Sequence, residues 1–201
     1  MDLYSGHIYH VYNQGNNREK IFFEKDNYMY FLEKMYDHLS SHVHLLAWCL
    51  MPNHFHWLLK VKKSSTTGES NHEEKLVQPL NRSIAILLSS YTKAVNKSYN
   101  RSGSLFRART KAKLLSGDIK KRDYYGAICF YYIHQNPLKA GLVDQLGEWE
   151  YSSFRDYAGL RNGTLCNKKM ARELFDLPKS SEKFYKSSMQ KISNEITKYI
   201  L

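Results

Sequence analysis

The 201-residue chain carries a net charge of +11, is 42% hydrophobic and contains three widely separated cysteines, Cys49, Cys129 and Cys166. That length supports one good core, with or without an appendage. Without a Cys-x-x-Cys pair or a long apolar run, a cysteine–zinc framework, a disulfide scaffold and a membrane-spanning helix are excluded. The positive charge is concentrated: residues 61–140 carry a net +10, whereas 1–60 carry −1 and 141–201 carry +2. An anionic polymer is the natural partner, nucleic acid before acidic lipid, because the basic residues form no amphipathic stripe. The opening Met-Asp-Leu-Tyr-Ser-Gly-His is no basic-then-apolar leader, so a reducing cytoplasm is expected.

In chain order, residues 7–15 are β-branched and aromatic and end in the turn Gly15-Asn16-Asn17, which predicts a first strand. Helical spacing of Tyr28, Phe31, Leu32, Met35 and Leu39 predicts a helix over 27–41. A second strand follows over 43–50. Pro52-Asn53 then turns the chain into a hairpin partner, the strand ending at Val61. Residues 62–72 read as a polar loop, and 73–99 as a helix with Leu80, Ile84, Leu87, Tyr91 and Val95 on one face. Residues 105–115 read as a strand in which Arg107, Arg109, Lys111 and Lys113 alternate. A helix over 118–135 is expected to stop before Pro137. Beyond Tyr151 the chain is helical and amphipathic. The order strand–helix–strand–strand–helix–strand–helix predicts an α+β fold, a ferredoxin-like antiparallel sheet with helices on one face. The domain reading is 1–158 for the body and 159–201 for a helical extension.

Two clusters carry chemistry. In the strand 54–61, Phe55, Trp57, Leu59 and Val61 point one way while His54, His56, Leu58 and Lys60 point the other. Two imidazoles two residues apart on one strand face can close on a single ion. On spacing alone, however, such a pair is more often simply hydrogen-bonded. Near the C-terminal end of the predicted helix that stops before Pro137, Tyr132 and Asn136 are four apart and share a face, a tyrosine able to act as nucleophile beside an amide oxygen able to ligate a metal. Tyr131 and Gln135 have the same spacing on the neighbouring face, and periodicity does not choose between the pairs. A phenol with an unperturbed pKa of about 10 must lose its proton as it attacks. An attack on a phosphodiester would leave a covalent phosphotyrosine, so strands could be rejoined without ATP. The chain has no Gly-x-x-x-x-Gly-Lys phosphate loop.

His54-Phe55-His56, with Tyr132-Ile133-His134-Gln135-Asn136-Pro137-Leu138-Lys139-Ala140-Gly141-Leu142-Val143 downstream, resembles the REP-associated tyrosine transposases of the single-tyrosine HUH superfamily. Tyr9-His10-Val11 with Gly15-Asn16-Asn17, Met51-Pro52-Asn53-His54, Gly103-Ser104-Leu105-Phe106, and Trp149 with Ser152-Ser153 extend the resemblance over residues 7 to about 158. It implies an HUH endonuclease fold, Tyr132 as nucleophile, and a magnesium or manganese ion on His54, His56 and Asn136. Insertion-sequence relatives have glutamine at the position of Asn136. It implies cleavage of single-stranded DNA near REP-like hairpins through a 5′-phosphotyrosine, by a monomer or homodimer in the bacterial cytoplasm and nucleoid. Phosphate contacts are expected from Arg107, Arg109, Lys111, Lys113, Lys120, Lys121 and Arg122. The alternative is a catalytically retired or RNA-directed nucleic-acid-binding protein of the same fold.

Overall fold

A computed structural model describes residues 1–63, 78–115 and 119–201, with side chains for all of these except residues 78 and 119–124. Four strands, β1 (Ile8–Gln14), β2 (Val43–Met51), β3 (His54–Val61) and β4 (Lys111–Leu114), form one antiparallel sheet in the order β2-β3-β1-β4. Helix α1 (Lys25–Leu39) joins β1 to β2, and α2 (Gln78–Ser98) leads towards β4. Together they make the split βαβ pattern of a ferredoxin-like sheet. Among the described residues, no helix is long and apolar enough to cross a membrane.

The alternation in β3 decides which side of the sheet each helix covers. Phe55 and Trp57 point towards α1 and α2, where Phe31 stands 5.6 Å from Phe55 and 6.0 Å from Trp57 between ring centres. Tyr91 of α2 meets Phe31 edge-on at 4.8 Å, and all four side chains are fully buried. Burial of each such ring stabilises the fold by roughly 1.5–3 kcal/mol. Helix α1 starts at a reciprocal cap between Glu24 and Asn27, which satisfies backbone N–H groups at its first turn.

The opposite face is covered by α3 (Ile119–Lys139), which packs on β2 and β3. Helix α3 runs past Pro137, which the sequence reading made its stop. The proline removes one N–H near the helix end, and the Asn136 amide donates to the Tyr132 carbonyl at 2.9 Å in that turn. The helix closes instead at Gly141, in the left-handed region with φ +65°. There Leu142 N–H donates to the Pro137 carbonyl and Gly141 N–H to the Leu138 carbonyl, a Schellman ending.

The tail adds α4 (Phe154–Tyr157), α5 (Lys168–Phe175), α6 (Ser181–Ser188) and α7 (Asn194–Ile200). Helices α5, α6 and α7 all pack on α3, and Phe175, Phe184 and Ile200 join the main core. Gly126 makes the α5 contact possible, since a Cβ there would lie 2.4 Å from the Phe175 ring. Just before α4, residues 151–153 cap the outer edge of β2, with Ser153 N–H donating to the Trp48 carbonyl at 2.9 Å.

Strand β4 is shorter than the sequence reading of 105–115. Phe106 makes only an isolated bridge to Gly15, and the buried Asn13 side chain donates to the Arg107 carbonyl and the Thr110 hydroxyl. Asn13 thus supplies side-chain hydrogen bonds where a continuous ladder would run, and pairing begins at Lys111.

Candidate active site

The β2–β3 turn is held firmly. The Pro52 carbonyl accepts from Ile21 and Phe22 N–H at 2.8 and 3.1 Å, and the Asn53 carbonyl accepts from Gly15 N–H at 2.8 Å. Gly15 lets the following loop fold back closely, because a Cβ there would sit 2.3 Å from the Glu19 carbonyl oxygen. The clamped turn places Asn53 so that its side-chain oxygen accepts from His54 Nδ1–H at 2.6 Å.

His54 and His56 share the α3 side of the sheet, their rings edge-on with centres 4.9 Å apart. A third histidine joins them. In the β1–β3 register Tyr12 lies opposite His56, so His10 falls diagonal to His56 on the same face. The His10 and His56 rings stack at 5.0 Å, with His10 Nε2 and His56 Nδ1 hydrogen-bonded at 2.9 Å. On its far side, His10 Nδ1–H donates to the Ile200 carbonyl at 2.6 Å. The Tyr12 hydroxyl donates to the Leu201 carbonyl.

Burial removes these imidazoles from water and disfavours their charged forms. His10 and His54 are each lowered to about 4 by this effect. His56 is pushed well below its ordinary value by burial and by its two histidine neighbours. All three are neutral near pH 7, the form that can ligate a metal.

Helix α3 presents Tyr132 to this group. Its ring centre lies 5.8 Å from His56 and 6.2 Å from His10, edge-on to both. Burial, reinforced by Cys129, raises the phenol to about 12, and a hydrogen bond with Asn136 works in the opposite direction. Lys139, seven residues on and so two turns away on the same face, holds its ammonium 5.5 Å from the Tyr132 ring. Partial burial lowers the Lys139 pKa.

The structure separates the two tyrosine–amide pairs that spacing leaves open. Tyr131 turns towards Phe184 of α6, ring centres 6.3 Å apart, and Gln135 is buried, donating to the Ser188 and Gln190 carbonyls at 2.8 Å. That pair fastens the tail. Tyr132 faces the histidines, and Asn136 follows it one turn later, its amide bonded to the Tyr132 carbonyl. His134, also buried, is hydrogen-bonded to the Ser153 hydroxyl at 2.8 Å and ties α3 to the β2 edge.

The expected basic strand divides. Lys111 and Lys113 are exposed on β4 in register with Tyr12 and His10, beside the histidine face. Lys111 stands 5.7 Å from the Tyr12 ring. Arg107 and Arg109 precede the strand and line an open groove with Thr92, Lys93 and Asn96 of α2, and the same groove takes in Lys111, Lys113 and Tyr12. Lys120, Lys121 and Arg122 fall in the first turn of α3, outside the residues whose side chains are described.

Among the described residues, no three His, Cys, Asp or Glu side chains are grouped to hold a metal. The available donor set is smaller and mixed. His54 and His56 each have Nδ1 engaged in a hydrogen bond, which leaves Nε2 of each as the free ring nitrogen, and Asn136 adds an amide oxygen. Two neutral imidazoles with an oxygen donor suit a divalent ion with open coordination positions, manganese or magnesium included.

Sequence reasoning left three contributors out of the site: Asn53, Lys139 and Ile200. His10 is readable from the sequence as either catalytic or structural, and the seven-residue spacing of Lys139 is an available signal. No pattern in the sequence marks a backbone carbonyl at residue 200.

No family model matches the chain, and no curated protein matches it. Among solved structures, it is similar to a REP-associated tyrosine transposase bound to a REP hairpin. The identity is 16%, the TM-score is 0.55, and the match covers 82% of this chain and 86% of that one. The 201-residue chain therefore has the fold of a REP-associated tyrosine transposase.

Proposed function

We propose that the protein is a transposase-like DNA strand transferase, a metal-dependent endonuclease acting on single-stranded DNA beside hairpins through Tyr132. The observation that carries this reading is the approach of Tyr132 to His56, 5.8 Å between ring centres, on a face where two further histidines converge.

In this reading the Tyr132 oxygen forms a bond to phosphorus while the P–O3′ bond breaks. The electron pair leaves with the 3′ oxygen, which takes up a proton, and the phenol gives one up. The product is a 5′-phosphotyrosine and a 3′ hydroxyl, and the reverse reaction joins strands. A phenol raised to about 12 is a weak nucleophile at neutral pH. Positive charge must meet the developing phenolate, and Lys139 is placed to provide some of it. When bound, a magnesium or manganese ion on His54, His56 and Asn136 supplies Lewis-acid polarisation of the phosphate oxygens. Lys111 and Lys113 hold the strand by its phosphates next to the histidines, and Arg107 and Arg109 do so along the α2 groove.

Hairpin DNA is proposed as the partner because the similar structure holds a REP hairpin. Helix α3 packs on the strands of its own chain, which supports a tyrosine acting within one subunit.

The test is to incubate the protein with labelled single-stranded hairpin DNA and manganese, and to look for a covalent adduct on a denaturing gel. An adduct lost in Tyr132→Phe and kept in Tyr131→Phe is expected. Hairpin binding without any adduct would leave a retired DNA-binding protein. Preference for RNA would favour the RNA-directed alternative.

A further inference from the structure

We propose that His10 is a positioning residue: it fixes which nitrogen of His56 is offered to the metal, and the Ile200 carbonyl of α7 sets the direction of that relay. The inference rests on the reading of His54 and His56 as metal-holding residues and goes beyond it, because it couples the tail to the metal site.

The argument is one of donors and acceptors. A backbone carbonyl only accepts, so the contact from His10 to Ile200, 2.6 Å, requires the proton on His10 Nδ1. The neutral ring then has a bare Nε2, which must accept. Its partner at 2.9 Å is His56 Nδ1, which must therefore carry its own proton. Nε2 of His56 is left with its lone pair free. One carbonyl at residue 200 thus specifies the tautomers of two imidazoles in sequence. Metal-bound histidines ordinarily have their second nitrogen fixed in this way, and loss of the partner typically costs about 10–100-fold in metal affinity.

The two ligand histidines differ in how they are fixed. His54 is set by Asn53, its sequence neighbour, on the clamped β2–β3 turn. His56 depends on His10, 46 residues away, which depends on Ile200, a further 190 residues along. Ile200 is fully buried, so the carbonyl is held by packing of the side chain that carries it.

The experiment compares the wild type with His10→Phe, which keeps a ring and removes the acceptor, and His10→Gln, whose amide oxygen can restore it. Ile200→Asp, which cannot bury its side chain, withdraws the carbonyl without touching either ring. Manganese affinity is read from the free-ion paramagnetic resonance signal. The His56 tautomer is read from its ring nitrogen chemical shifts without metal. His10→Phe should bind manganese about 10–100-fold more weakly and show His56 exchanging between tautomers. His10→Gln should recover most of the affinity, and Ile200→Asp should lose several-fold. Unchanged nitrogen shifts in both His10→Phe and Ile200→Asp would overturn the proposal, as would tighter manganese binding in either. If the wild type binds no manganese, the metal reading fails, and the nitrogen shifts alone still decide the relay.

Discussion

The two faces of β3 are built on opposite terms. Phe55 and Trp57 point into a dry layer of rings from α1 and α2, where packing alone holds each side chain. His54 and His56, one residue out of phase, point into a polar layer, His56 buried and His54 half-buried, where each ring depends on a specific hydrogen bond. One pleated strand therefore carries both a share of the fold's stability and the histidines of the candidate site, and the two-residue period keeps them apart. Disturbing one face should leave the other nearly untouched.

The largest effect tests the polar face. Tyr132→Phe should reduce covalent adduct formation by at least ~10³-fold, with hairpin affinity unchanged within about twofold, since a missing nucleophile removes the chemistry and spares binding. A variant with equal losses in both would mean that Tyr132 binds DNA without attacking it. On the dry face, Trp57→Ala should cost about 3–5 kcal/mol in urea unfolding through lost burial and a cavity. Adduct formation per folded molecule should be preserved. Asn136→Ala comes next: manganese affinity should fall by about one order of magnitude, as for a lost oxygen ligand, with unfolding changed by less than ~1 kcal/mol.

The faces should also differ in their response to acid. His10 and His54 are lowered to about 4 and His134 to about 3, in each case by burial, against an unfolded value of about 6.5. Between those limits the unfolded chain binds protons that the folded chain refuses. Stability is therefore full above about pH 6.5 and falls as the pH drops towards 4. The urea midpoint should be lower at pH 5 than at pH 7, and His54→Gln should flatten that slope where Trp57→Ala does not. The smallest effect belongs to the exposed rim. Lys111→Ala and Lys113→Ala should each weaken hairpin binding modestly and reduce its salt dependence by about one counterion.

How much of this was legible in the sequence follows the same division. The dry face announces itself, because alternating rings in β3 and helically spaced Phe31, Met35 and Leu39 are periodic signals that burial enforces. The element order was readable for that reason, and so was the sheet. The ends of elements were less so. Pro137 reads as a stop, although a proline near the end of a helix loses only one backbone bond, and Gly141, the residue after the Asn136–Ala140 bond, makes the real ending. Strand β4 was read too long because alternation in 105–115 does not register that the Asn13 side chain takes the place of a ladder.

On the polar face, His54, His56 and Tyr132 were visible as residue types able to do chemistry at suggestive spacings. Spacing leaves Tyr131 and Tyr132 open and the resemblance points to Tyr132; the structure adds that Gln135, the partner of Tyr131 in spacing, is committed to the tail. Asn53 and His10 matter through hydrogen bonds whose partners are set by register and turn geometry. The Ile200 contribution comes from the main chain, which every residue possesses, so no side chain advertises it.

That long reach has a consequence for how the molecule matures. Contacts between residues 190 positions apart close a large loop, and although the entropic cost grows only by about 0.6 kcal/mol per doubling of length, such contacts form late. The sheet can pair and bury its rings while α7 is still detached. A refolding chain should thus regain its aromatic core, read by tyrosine and tryptophan fluorescence, before the Ile200 carbonyl reaches His10.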